Sequence, residues 1–142
     1  MKGQIALIFI CLALSSLPAV SGGKNGKEKT KNISYVEALS VADQFMTAWE
    51  WRRQDDGLKL ISDSLKNKES EDDLRDYVSG ISNPHHEAFE VYSGKKLPDG
   101  RISFNVMTYE TYTGYPSVYP SGPTLIILSK DAHGKWKVDK LP

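Results

Sequence analysis

The sequence predicts an α+β fold in which N-terminal helices pack on a curved, four-stranded antiparallel sheet. Three observations carry that expectation. Apolar residues recur at three- and four-residue steps through the first part of the chain, and the period changes to two after Pro84. The period-two runs are joined by short turn signals, Leu97-Pro98-Asp99-Gly100 and Asp131 to Gly134. Helices first and strands afterwards, with no visible repeat, means segregated layers rather than alternating βαβ units.

The chain opens with Lys2 and an unbroken apolar run from Ile5 to Leu14, followed by Pro18, Ala19, Val20 and Ser21. This is the pattern of a secretory leader, with Ala19 and Ser21 as the small residues a signal peptidase accepts before Gly22. The run is about half the roughly 20 residues of a membrane span, so export rather than anchoring is expected. Lipidation at Cys11 needs a small residue before the cysteine, and Ile10 stands there. Residues 22–33 contain GGKNGKEKTK, too polar to bury surface, and are predicted as a flexible linker. The expected division is a signal peptide at 1–21, the linker at 22–33 and one α+β domain at 34–142.

Within the domain, Ser34 and Glu37 form a capping box that should start the first helix. Leu39, Ala42, Phe45, Met46 and Trp49 then make one apolar stripe, ending near Arg52 and Arg53. Leu58, Ile61 and Leu65 predict a short second helix. Ser70, with Asp73 three residues on, opens a third that carries Leu74, Tyr77, Val78 and Ile81 and stops before Asn83 and Pro84. Phe89 and Val91 mark the inward side of strand one, and Ile102, Phe104 and Val106 that of strand two. Thr124 to Lys130 is strand three, and Trp136 and Val138 face inward on strand four. Gly114 to Pro123, GYPSVYPSGP, should be an irregular loop because of its three prolines.

Composition narrows the function. The 142 residues hold 18 Lys plus Arg against 18 Asp plus Glu, with 39% apolar and 25% charged residues, as in an ordinary soluble domain. That balance excludes a strongly basic nucleic-acid binder. The single cysteine lies in the leader, so the exported chain can form no disulfide or thiolate site. There is no phosphate-binding glycine motif, no zinc spacing and no Ser, His, Asp constellation. No metal or other cofactor is implied.

The order of elements, the stretch "ADQFMTAWEWRRQD" followed by "GLKLIS", and the closing "DAHGKWKVDKLP" resemble the cystatin-like, nuclear-transport-factor-two-like superfamily over residues 34 to 142. The resemblance implies a sheet curled around the first helix into a cone whose open end is often a ligand pocket. It also implies pairing through the sheets, which members often show. The superfamily includes ketosteroid isomerase, polyketide cyclases and dehydratases beside catalytically silent secreted modules. A catalytic Asp and Tyr pair cannot be matched here residue by residue, so no site is carried over.

Read directly, the residues offer a few candidates. If strand two runs on without a bulge, the face of Ile102, Phe104 and Val106 continues through Thr108, Glu110 and Tyr112, bringing a carboxylate and a phenol to the mouth of an apolar cone. Against this, ionisable residues at sheet ends are normally exposed. Trp49 could stack on a ligand, though filling the core is its default. Trp51 lies off the stripe, as a rim contact or an exposed anchor. Adjacent residues on a strand point to opposite faces, so His85 and His86 are not expected to share a metal ion, and they should be a solvated loop pair after Pro84. The scattered acidic residues lack the ligand spacing of a calcium loop. On the opposite face of the sheet, Tyr92, Met107, Tyr109, Leu125 and Ile127 should share one side and form an interface, most simply with a second copy. The expected function is a secreted, non-catalytic binding or interaction module, the alternative being a small acid/base enzyme or lipophilic-ligand carrier that uses Trp49, Glu110 and Tyr112.

Overall fold

Helices and strands segregate along the chain as the change of period requires. The computed structural model describes residues 25–80, 84–115 and 117–142. The leader at 1–21 and the predicted helix end at Ile81 and Asn83 lie outside the described residues. Four helices, α1 (Asn25–Glu50), α2 (Gln54–Leu60), α3 (Asp63–Lys66) and α4 (Glu71–Ser79), precede five strands, β1 (His85–Lys96), β2 (Ile102–Thr111), β3 (Val118–Pro120), β4 (Thr124–Lys130) and β5 (Trp136–Lys140).

The first helix starts at Asn25, so Ser34 lies inside it and is not its cap. Nucleation is the costly step of helix formation, and packing of the second half of α1 supplies it; the lysines and Glu28 upstream are good helix formers that extend it cheaply. At the other end Arg53 N–H closes onto the Ala48 carbonyl at 2.8 Å, with Arg52 in the left-handed region at φ 53°. The predicted second helix is two helices. Ile61 bridges Val138 in parallel and Ser62 N–H donates to the Val138 carbonyl at 2.8 Å, which takes the backbone out of the helix for one step. Ser62 then caps α3, its Oγ accepting from Leu65 N–H at 3.0 Å. Ser70 caps α4 as predicted, accepting from Asp73 N–H at 3.1 Å.

The antiparallel sheet runs β1-β2-β4-β5, and the fifth strand corrects the expected four. β4 pairs with the first half of β2, Ile102 to Val106, while β3 pairs with its far end through Tyr109↔Pro120, Glu110↔Tyr119 and Thr111↔Val118. The loop predicted to be irregular therefore supplies a short strand along the same edge of β2, with Ser121 to Pro123 as the bend. Proline is tolerated because β3 pairs with one neighbour only, leaving its other edge without a ladder to break. β1 carries register shifts between His86 and Ala88 and between Tyr92 and Lys95. Such bulges bend a strand and raise its twist, which curls the sheet around α1.

The core lies inside that curl. Ala38, Ala42, Phe45, Met46 and Trp49 of α1 meet Ile102, Phe104 and Val106 of β2, Ile126 and Leu128 of β4 and Val138 of β5. Phe45, Met46, Val106, Ile126, Leu128 and Val138 are 0% exposed, so no space large enough for water opens onto them. Burying each large side chain contributes roughly 1.5–3 kcal/mol. At the second bulge Gly94 lies under Tyr35 and Phe104, whose rings meet edge to face at 5.3 Å; a Cβ at Gly94 would collide with both.

Tyr92, Met107, Tyr109, Leu125 and Ile127 lie on the face away from the helices, with Tyr92 and Leu125 the most exposed. Glu90, Asn105 and Ser103 interrupt them by register, and Tyr109 donates to Glu90 Oε1 at 3.3 Å.

Candidate functional site

β2 passes from the core to the open end of the curl without a register break on its own side, so the inward face that holds Val106 and Thr108 continues to Glu110. Glu110 is half-buried and stands between two cross-strand neighbours, His86 on β1 and Tyr119 on β3. Tyr112, just past the strand, folds back along it and donates its hydroxyl to Glu110 Oε2 at 2.9 Å. The two residues singled out on strand two are thus brought into direct contact.

Trp49 reaches them through an intermediary. It is 3% exposed, and its ring lies flat on that of His86, with centroids 3.8 Å apart and planes inclined by 12°. His86 Nδ1 donates to the Trp49 carbonyl at 2.8 Å, which in the neutral ring leaves Nε2 as an acceptor facing Gly80. The expected solvated loop pair is instead the start of β1, where His85 is exposed but His86 is half-buried against Trp49. Adjacent strand residues do face opposite sides, but the bulge at Glu87 changes which of the two faces inward. Counting back by twos from Phe89 selects His85; the register shift selects His86.

The charge on Glu110 is felt by three groups. Burial, the main cause, pushes the His86 pKa down, and Arg52 adds to the effect; the bond to Trp49 and the nearby Glu110 carboxylate oppose it. The Tyr77 phenol of α4, which donates to the Pro142 carbonyl at 3.0 Å, is raised by burial and further by Glu110. Tyr112 is raised chiefly by its hydrogen bond to Glu110. Arg52 turns its guanidinium to the Pro84 carbonyl and makes no ion pair with Glu110 among the described residues.

Outside this ring of groups stands a tyrosine cluster. Tyr119 meets Tyr112 at 6.1 Å and 66°, and Tyr115 at 6.2 Å and 82°. Tyr112, Tyr115 and Tyr119 are 38, 63 and 44% exposed, so the cluster presents aromatic surface to solvent beside Glu110. Trp51 is exposed as well, at 69%, but no ring contact joins it to this group among the described residues.

Other concavities are poorer in chemistry. A groove of about 450 Å³ between α2, α3 and α4 is lined by Asp55, Glu71 and Arg75, which pair with one another. One of about 640 Å³ between α1 and β5 is lined by Val36, Val41, Leu60 and Trp136. No group of metal-ligating side chains is assembled among the described residues.

No protein-family model and no curated protein matches the chain. Among solved structures it is similar to a ketosteroid isomerase-like protein from Erwinia carotovora atroseptica SCRI1043, with a TM-score of 0.55 and 18% identity over 72% of this chain and 88% of that one. The chain therefore has the nuclear-transport-factor-two-like cone fold that its element order resembles. At this identity the likeness is one of fold.

Proposed function

We propose that the protein is a secreted, non-catalytic binding module that takes its ligand at the open end of the cone. The observation that carries this reading is the exposed tyrosine cluster set around Glu110, above an interior that is filled. A carrier of a lipophilic ligand, or an acid/base catalyst acting on one, needs an apolar chamber beneath the carboxylate. Phe45, Met46, Phe104, Val106 and Ile126, each at most 1% exposed, occupy that volume. Tyr112, the phenol nearest the carboxylate, already donates to it, and Trp49 is covered by His86. Surface rings with polar tips suit recognition from outside.

Native mass spectrometry of protein purified from its own source tests the reading. A retained ligand that is lost from a variant with Tyr115→Ser and Tyr119→Ser, while the thermal melt is unchanged, is the expected result. Turnover of a carbon acid that disappears in Glu110→Gln would overturn the non-catalytic part. Export rests on the leader pattern, and N-terminal sequencing should begin at Gly22. The outer sheet face is proposed to pair with a second copy: light scattering should find a dimer that Met107→Lys with Ile127→Lys converts to a folded monomer, whereas a monomeric parent would refute it.

A further inference from the structure

We propose that the ligand taken at the mouth is a compact organic cation, a substituted ammonium group held against Glu110 by the surrounding tyrosines. The proposal rests on the mouth being the binding site and names what it binds. A carboxylate offers about four acceptor positions. Among the described residues Glu110 receives one hydrogen bond, from Tyr112, and no ion pair. The ion pairs among the described residues engage Arg53, Lys59, Arg75 and Arg101 elsewhere. A half-buried negative charge with so few partners is a site that a positive group would stabilise.

The rings decide between a cation and a neutral sugar. A pyranose stacks best on a continuous flat aromatic platform, whereas Tyr112 and Tyr115 stand at 66° and 82° to Tyr119 and form none. The negative face of an exposed ring attracts a positive group within about 6 Å of its centroid. The same molecule holds Lys130 Nζ 5.2 Å from the Trp136 centroid, an ammonium–aromatic contact of that kind. An anion would meet both the carboxylate and the ring faces with the wrong sign.

The test uses the full chain and three probes: choline, butylammonium, and the neutral isostere of choline in which a quaternary carbon replaces nitrogen. Ring-proton shifts of Tyr112, Tyr115 and Tyr119 in NMR titrations report binding at the mouth. At least one of the two cations should bind about ten times more tightly than the isostere, with affinity falling as salt rises. Glu110→Gln should weaken it about tenfold, and Tyr119→Leu should do so without removing the charge. Circular dichroism of both variants shows whether they are folded; should Glu110→Gln fail to fold, the isostere comparison and the salt dependence in the parent still decide. Equal binding of isostere and cations, indifferent to salt, would overturn the cation while leaving the mouth as a binding site. Shifts confined to residues away from these tyrosines, or none with either cation, would overturn the cation proposal, and the ligand retained in the mass spectrum would then judge the broader reading separately.

Discussion

From Ile102 to Val106, strand β2 is paired on both sides, by β1 and β4, and its inward side chains are sealed against α1. From Tyr109 onward its second neighbour is the short β3, its inward position is the half-buried carboxylate of Glu110, and the exposed phenol of Tyr112 follows just past its end. The same alternation thus serves two purposes along one strand. Where α1 covers it, the inward face is fixed by volume. Where α1 stops at Glu50, inward positions are free to carry charge and aromatic surface, and their worth lies in what they meet from solvent.

Breaking the sealed half should cost the most. Gly94→Ala drives a methyl group into the side chains of Tyr35 and Phe104; we expect a loss of about 3 kcal/mol or failure to fold. Denaturant melts would show it. Phe104→Ala and Trp49→Ala leave cavities and should each cost about 3–5 kcal/mol. If Trp49→Ala melted like the parent, the tryptophan would belong with the mouth rather than the core. At the boundary, Thr108→Val removes a hydroxyl that meets Ser121 Oγ, and should cost about 1 kcal/mol by freeing the bend between β3 and β4.

The smallest effect is expected at the mouth. Folding lowers the His86 pKa, so the unfolded chain binds the proton more readily. Its contribution to stability is therefore complete above the ordinary imidazole value near 6.5 and is lost as pH falls below it. Because His86 is only partly buried, solvent screening keeps this contribution small. His86→Phe retains a ring on Trp49 and should abolish that part of the acid sensitivity, read from melts across pH 7 to about 5.

The sealed half was also the half legible in the sequence. The stripe through Ala42, Phe45, Met46 and Trp49, the Ser70 cap and the run Ile102, Phe104, Val106 each follow from spacing, because burial is what spacing encodes. Glu110 and Tyr112 could be placed by continuing that run. His86 could not, since one extra residue in β1 has no signature in composition and inverts the count. β3 was hidden by Pro120 and Pro123, which argue against a central strand but not against one that pairs with a single neighbour. The extension of α1 back to Asn25 was hidden by the glycines and lysines that mark a linker, and by a capping box that marks an entry only when the chain before it leaves the helical path.

The irregular step at Glu87 works as a selector. Everything from Ala88 onward keeps its place whether or not the strand bulges there, yet the bulge decides which residue stands opposite Glu110: His86 with it, Glu87 in an unbroken ladder. By taking up Glu87 as its extra residue, the strand keeps a second carboxylate from facing Glu110 and sets His86 there instead, on the face of Trp49. The character of the mouth is thus set by where one strand takes up a single extra residue, with every core residue left in place.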